Sequence, residues 1–571
     1  MMTTPMGERV DGQQSQPFAR RDVSRTSECD VLVVGAGPTG LTLACDLRRR
    51  GVACRVVDRA DGLRRRSKGK GVQPRTLEVF DDLGIVEAVL RAGRTNHRLR
   101  LYAGGVLAAE LDAPARPPGP GVPYPNLVIV PQWRTEQLLR ERLAALGGGV
   151  EPNRELTGFV QDADGVTATV VDRTTGAEER VRAAYLVGCD GGHSAVRAGA
   201  GIPLRRISRS GRFLLADVRL DGLPADGSSF AWFDGDRYLA ADPLDGAGVW
   251  QVQASAPDGG APASIPLLQQ LFAERGFPEV RLHDATWLSD FSPSMGVVDR
   301  YRAGRVLLAG DAAHVHSPAG GQGLNTGVQD AYNLGWKLAT VLRGRADDRL
   351  LDTYQEERAP VARAVLRGSD LGHSAVFSAH PAVRVLRERV LIPLLRLPTV
   401  RDAVLRRADE LDVGYRGSSL VGGEPGLGDR VRFRRGPRPG DRAPDACGRD
   451  ANGRPRRLFD LFRGPHGTLL LFTGSAVPPW MIDAARHVVA PTGYDVRAFF
   501  VVRGARVPRV LEPDAVLLDP GGEAHRLYGA STGSAYLVRP DGYLAFRARR
   551  AAEMRDHRGT VLELVGRPLD G

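Results

Sequence analysis

Residues Asp30–Arg59 read DVLVVGAGPTGLTLACDLRRRGVACRVVDR. The apolar, β-branched run Asp30–Val34 suits a buried parallel strand, and it leads directly into Gly35-Ala36-Gly37-Pro38-Thr39-Gly40. A helical pattern follows over Leu41–Arg50, then Gly51 and a second strand pattern, Val52–Val57, ending at Asp58. This is a βαβ unit. Bare glycines at 35, 37 and 40 let a pyrophosphate reach backbone N–H groups at the helix N-terminus. Asp58 stands where a carboxylate accepts hydrogen bonds from an adenosine ribose. The glycines alone would also make an ordinary turn; with Asp58 they predict a dinucleotide site.

Working outward, Leu77–Leu90 reads as one helix, Arg98–Leu111 as strands, Ala113–Pro125 as a Pro/Gly-rich loop, and a helix opens near Arg134. Strand patterns at Leu156–Val171 and Val181–Val187 lead to a second glycine loop, Cys189-Asp190-Gly191-Gly192. The stretch Ile207–Phe291 alternates like sheet and carries Trp232, Phe233, Tyr238 and Trp250. Beyond it come a strand at Arg305–Leu308, a glycine-rich segment, a helix over about Val328–Leu342 and helical patterns to about Arg407. Arg434–Gly440 reads as a linker, and Thr468–Phe472 and Val496–Val502 as buried strands.

A chain of 571 residues suggests about three or four domain-sized units. No apolar run approaches the roughly 18–20 residues of a membrane span, and the first residues lack a signal-peptide core, so a cytoplasmic location is expected. The five cysteines form no CxxC and no ligand-like spacing. His314 and His316 make an HVH pair with no supporting Cys or carboxylate cluster in sequence, so no metal is expected. The net charge of +11 is nearly all arginine and spread along the chain, which argues against nucleic acid. Clusters such as Arg64–Arg66 suit either steering of an anionic cofactor or a solvated loop.

A further signal decides which dinucleotide: Gly310-Asp311-Ala312-Ala313-His314, then Pro318, then Gly320-Gly321-Gln322-Gly323-Leu324-Asn325 before a helix. With Gly35–Gly40 and Cys189-Asp190-Gly191-Gly192-His193-Ser194-Ala195-Val196-Arg197, these are three fingerprints in order. On them the chain resembles the class A flavoprotein monooxygenases, the family of para-hydroxybenzoate hydroxylase, aromatic polyketide hydroxylases and rifampicin monooxygenase. The resemblance spans about Cys29–Val400 and implies FAD as cofactor, with Asp311 at the ribityl chain and Pro318 beside the isoalloxazine. Backbone N–H groups of Gly323, Leu324 and Asn325 would face flavin N1 and O2. A helix opening there would favour the negative charge of reduced flavin.

Other positions follow from the same resemblance. Asp190 matches a residue that touches FAD and organises NAD(P)H use, although capping the next helix accounts for it equally. Gln132 matches a position near the ribityl and phosphate groups. Arg59 and Leu156 match positions flanking the adenine, with plain surface and core roles as the alternative. Lys68 stands where the family usually has a phosphate-binding arginine, and lacks its planar fork. Which of NADPH or NADH is used is not legible.

The implied fold is α/β: a Rossmann-like FAD-binding domain (28–206 and 291–410), an inserted mixed-sheet substrate domain (207–290) and a thioredoxin-like C-terminal domain (426–571), after a disordered tail (1–27). That last domain lacks CxxC, which leaves packing, dimerisation or solubility as its role, and a homodimer as a partner state. The implied reaction reduces flavin with NAD(P)H, adds O2 to give a C4a-hydroperoxide, and transfers one oxygen to an aromatic, polycyclic substrate. Baeyer–Villiger insertion, antibiotic inactivation and a non-catalytic flavin protein are the alternatives. Trp232, Phe233, Tyr238 and Trp250 are expected as pocket walls, with sheet-core packing as the plainer account. No catalytic base is named.

Overall fold

The computed structural model describes residues 26–549, apart from 66–68, 96, 210, 235–236, 245–247, 258–259, 293, 317–321, 378–379, 395–396, 398, 401–408, 423–435 and 488–494. The expected tail up to residue 25, Lys68 and Pro318 therefore lie outside the described residues. Strand Thr26–Val34 pairs in parallel with Cys54–Val57 on one side and Glu178–Gly188 on the other, and Val306–Leu308 continues the parallel order beyond Glu178–Gly188. Parallel strands are covered on both faces, and Val31, Leu32 and Val33 are fully buried.

Helix Pro38–Arg49 connects the first two strands and packs against helix Gly323–Leu342. The two approach closely at Gly335, where a Cβ would lie 3.0 Å from Asp46 Cγ. The single helix expected over Leu77–Leu90 is two, Pro74–Leu83 and Val86–Ala92. Gly84 ends the first with φ of 79°, a left-handed cap that glycine adopts without steric cost.

A second sheet runs in the order Arg281–Phe291, Phe213–Asp221, Val249–Ser255, Arg237–Pro243, Ser229–Asp234, His97–Ala103, Val106–Ala113. Its last two strands come from a stretch read with the first segment. They join because His97–Ala103 pairs in parallel with Ser229–Asp234. Helix Ile265–Glu274 covers one face, burying Leu268, Leu271 and Phe272 against Trp232, Trp250 and Leu239.

A third, mixed sheet of seven strands has Val496–Val502 at its centre, with Gly467–Thr473 parallel to it and antiparallel to Ser534–Val538. Its residues dock on the first unit through buried ions. Arg539 donates to both Glu357 oxygens at 2.5 and 2.9 Å, and Lys337 donates to Glu357 at 2.8 Å, all essentially inaccessible. Burial pushes the Lys337 ammonium down to about 8. Against burial, Arg539 and Lys337 together hold Glu357 below the usual carboxylate range. Asp541 joins Arg539 on one side and accepts from Asn333 at 3.0 Å on the other.

Candidate functional site

The three fingerprints meet at one seam. Gly35 has φ of 104°, and a Cβ there would fall on the Cys189 carbonyl and 2.9 Å from Asp190 Cα. A Cβ on Gly310, whose φ is 63°, would lie 2.6 Å from Thr39 Oγ1, and one on Gly327 would lie 3.2 Å from Gly310 Cα. Thr39 thus sits between the glycines of the first and third motifs. Arg197 ties the second motif to the third by donating to Ala312 O at 3.0 Å and Gly192 O at 2.8 Å.

Beside this close packing Gly37 and Gly191 are open. Among the described residues, no atom beyond its own stretch of chain lies within 4 Å of where a Gly37 Cβ would be. Gly37 is the N-cap of helix Pro38–Arg49 and makes no side-chain cap, so the helix presents its first-turn N–H groups at an empty space. That is the cradle a pyrophosphate fits. Asp58 Oδ2 accepts from Ala36 N–H and Oδ1 from Ala60 N–H, both at 2.7 Å. The carboxylate therefore holds the glycine loop, with lone pairs left for a ribose. Arg59 is exposed, and Leu156 is buried in the main core opposite Val170.

The other end of the site is built around helix Gly323–Leu342, whose N-cap, Gln322, provides no side-chain cap. Asp311 is exposed and lies 3.8 Å from where a Gly323 Cβ would be. Gln132 grips Gly69: its Oε1 accepts Gly69 N–H at 2.9 Å, and its N–H donates to Gly69 O at 3.1 Å. Leu324 lies against the same glycine. Asn325 Oδ1 accepts from Gln73 N–H and its Nδ2 donates to Gly71 O, both at 2.9 Å, so its side chain pins the strand Gly71–Val72. Asp190 Oδ2 accepts from Ala195 N–H at 2.7 Å and Val196 N–H at 3.2 Å, capping helix Ala195–Gly199. Its Oδ1 is buried with no partner among the described residues, a polar atom left over after capping. An open cradle, an uncapped helix start and this spare carboxylate oxygen fit an extended, hydroxyl-rich dinucleotide.

The four aromatics do not line one wall. Alternation in strand Ser229–Asp234 sends Trp232 to the face under helix Ile265–Glu274, where it stacks with Tyr102 at 5.6 Å and Phe230 at 5.7 Å. Trp250 shares that core. The expectation of pocket walls is corrected for these two: both rings are enclosed by side chains. Phe233 and Tyr238 lie on the opposite face, 5.6 Å apart, among Leu101, Ala231 and Ala240. On the face shared with Tyr238 stands Asp242, paired with Lys70 from the loop beside Gly69. A cleft of about 570 Å³ lined by Asp61–Arg65 and Thr286 opens between that loop region and the second sheet.

Sequence reasoning missed a buried set behind the seam. His314 Nε2 meets Asp330 Oδ2 at 2.5 Å, His314 Nδ1 meets His316 Nε2 at 2.7 Å, and Arg358 Nε donates to Asp330 Oδ1 at 2.6 Å. The HVH spacing, which puts both histidines on one side of an extended stretch, was the available signal.

Comparison with known proteins agrees with this arrangement. Residues 28–369 match the FAD binding domain family and residues 436–568 the aromatic-ring hydroxylase C-terminal family. The chain is 41% identical to a flavin-dependent monooxygenase of Mycobacteroides abscessus, over 94% of this chain and 99% of that one. It is 36% identical to 6-methylpretetramide 4-monooxygenase of Streptomyces rimosus, over 91% of each. Among solved structures, the OxyS anhydrotetracycline hydroxylase from Streptomyces rimosus is 33% identical with a TM-score of 0.73, covering 95% of this chain and 100% of that one. The seam of three fingerprints, the family matches and the full-length similarity lead to one conclusion: the chain belongs to the class A flavoprotein monooxygenases and is an FAD-dependent aromatic monooxygenase.

Proposed function

We propose that this enzyme uses NAD(P)H and O2 to hydroxylate a planar, polycyclic phenolic substrate of the aromatic polyketide type. The observation that carries the reading is the pairing of an open FAD cradle at Gly37 with an apolar sheet face bearing Phe233 and Tyr238. Relatives named for 6-methylpretetramide and anhydrotetracycline support the substrate class. FAD, when bound, supplies the redox chemistry: it takes electrons from the nicotinamide and delivers one atom of O2 to the ring.

The chain's own residues would do the rest. First-turn N–H groups at Thr39 and Gly40 would bind the pyrophosphate, with Asp58 at the ribose and Gln132 and Asp311 along the ribityl chain. Backbone at Gly323–Asn325 would hold the pyrimidine edge. Arg59 and Leu156 would flank the adenine, and Lys68 would supply phosphate charge. Phe233 and Tyr238 would clamp the flat substrate and exclude water, while Asp242 and Lys70 offer a polar edge to its oxygens. Arg64 and Arg65, at the cleft beside the Asp58 strand end, would attract the anionic nicotinamide cofactor. Asp190 would reach cofactor through Oδ1 while Oδ2 keeps its cap. We place the substrate sheet as an insertion within the FAD-binding unit, 28–206 with 291–410, and 426–571 as a unit that buttresses it.

The test is substrate-stimulated NADPH oxidation with a panel of polycyclic phenols, followed by product mass. Stimulation with a gain of one oxygen is expected. NADPH oxidation unaffected by every planar phenol would overturn the substrate class. Asp311→Ala should lose flavin while staying folded, and full flavin retention would remove Asp311 from the ribityl site.

A further inference from the structure

The buried set behind the seam has one feature that packing does not need. Asp330 is fully buried, and its carboxylate is completely engaged: Oδ1 accepts from Arg358, and Oδ2 accepts from His314 and from Gly310 N–H at 3.1 Å. Despite burial, His314 and Arg358 hold this carboxyl down to about 2, so it stays ionised. An ionised Asp330 keeps a proton on His314 Nε2. With no second proton on the ring, His314 offers only a lone pair at Nδ1, and His316 donates to it through Nε2. That leaves His316 Nδ1 as a buried lone pair with no partner among the described residues. His316 is nine-tenths buried, and its Cδ2 lies 3.9 Å from where a Gly323 Cβ would be, beside Asp311.

We propose that Asp330, His314 and His316 form a proton wire at the flavin site, and that one added proton reverses His316 Nδ1 from acceptor to donor. The inference rests on the FAD reading above. In the step, a proton from solvent bonds to His316 Nδ1, the His316 Nε2–H bond breaks, and that proton forms the Nδ1–H bond of His314. The product is a His314 imidazolium against the Asp330 carboxylate, with His316 neutral and its tautomer exchanged. Net charge rises by one, and no electron moves within the wire.

The surroundings decide when this occurs. Groups facing the wire are Asp330 and, across it, Arg358; Tyr301, whose ring centre is 6.2 Å from that of His314; Tyr354, hydrogen-bonded to Leu308 O; Glu410, held by Gln329; and Asp311 beside His316. Arg358 opposes a second cation, and burial together with His314 pushes His316 itself well below the usual imidazole range. Negative charge arriving next to the wire, as happens when the bound flavin is reduced, therefore favours the added proton. Gly310 N–H fixes Asp330 to the Gly310-Asp311 motif, so the wire and the ribityl site move as one piece. His316 is on this account a positioning residue: its ring, whose Cδ2 edge faces Gly323, changes tautomer with the redox state of the site.

The experiment uses the purified holoenzyme and its His316→Gln variant. A visible flavin spectrum is recorded first. Flavin midpoint potential is then followed against pH, and proton uptake on anaerobic reduction is read with an indicator dye. Wild type should take up one proton more than the variant per two-electron reduction, and the variant should lose that share of the pH slope. Equal slopes and equal uptake in two yellow proteins would overturn the wire. A wild-type protein that binds no flavin overturns the FAD reading and the proposal with it, and the spectrum tells that failure from the first. If the variant does not fold, nitrogen NMR of histidine-labelled wild type decides: His316 should carry its proton on Nε2 with oxidised flavin and on Nδ1 with reduced flavin. One unchanged tautomer in both states would overturn the proposal.

Discussion

The glycine seam and the aromatic sheet prepare for their ligands in opposite ways. At the seam, Gly35, Gly310 and Gly327 are packed so tightly that no side chain fits, and this closeness leaves bare backbone at Gly37 open. On the sheet, side chains carry the information: Phe233 and Tyr238 face one way, Trp232 and Trp250 the other. A cofactor with a fixed pyrophosphate can be held by main chain, whereas a substrate is distinguished by the rings and charges that face it. Substitutions at the seam should therefore act through the fold or through FAD, and substitutions on the sheet should split by face.

The largest effect is expected from Gly35→Val. Its φ of 104° and the Cys189 carbonyl both exclude a side chain, so flavin should be lost and stability should fall by about 4 kcal/mol or more. Gly37→Ala meets no neighbour and should stay within about 1 kcal/mol of wild type while weakening FAD binding. Flavin retention after gel filtration and thermal unfolding compare the two; equal stability loss would erase the distinction between packed and open glycines.

Next, Trp232→Ala should cost about 3 kcal/mol by opening the core under helix Ile265–Glu274, yet leave product identity unchanged. Phe233→Leu should cost only about 1 kcal/mol and raise KM several-fold. Steady-state kinetics beside denaturant melts would break the two-face account if Trp232 moved KM and Phe233 did not.

The smallest effect sharpens the seam side. Burial pushes the Glu410 carboxyl up to about 8, and Gln329 Nε2 meets it at 2.5 Å. An unfolded glutamate titrates near about 4.3, so between the two values the unfolded chain has released a proton that the folded one keeps. Stability from this group is complete below the unfolded value and is lost as pH rises toward and through 8. Glu410→Gln should thus gain about 1.4 kcal/mol over wild type on going from pH 7 to pH 9. Parallel melting curves across that range would show that Glu410 is ionised in the fold.

What could be read in advance follows the same division. The βαβ unit and the three fingerprints were legible because each depends on local spacing and on glycine where nothing larger fits. The face of each aromatic was not, since Phe230-Ala231-Trp232-Phe233 places rings in both phases of the alternation and only register and the covering helix assign them. The strands His97–Ala103 and Val106–Ala113 joined the second sheet through a distant parallel pairing that no local pattern announces. Gly84 was a visible break in the Leu77–Leu90 pattern that hydrophobic periodicity overrode. His314 and His316 stood out in sequence, but their partner Asp330 comes from a helix beyond the glycine-rich segment, so their role emerged only with the fold.

The central claim is tested most directly by turning over purified, flavin-loaded enzyme with NADPH and a polycyclic phenol under isotopically heavy O2. The account predicts a product heavier by one heavy oxygen atom, formed only while substrate accelerates NADPH oxidation. A product carrying oxygen from water, or a protein that cannot be loaded with FAD at all, would contradict it.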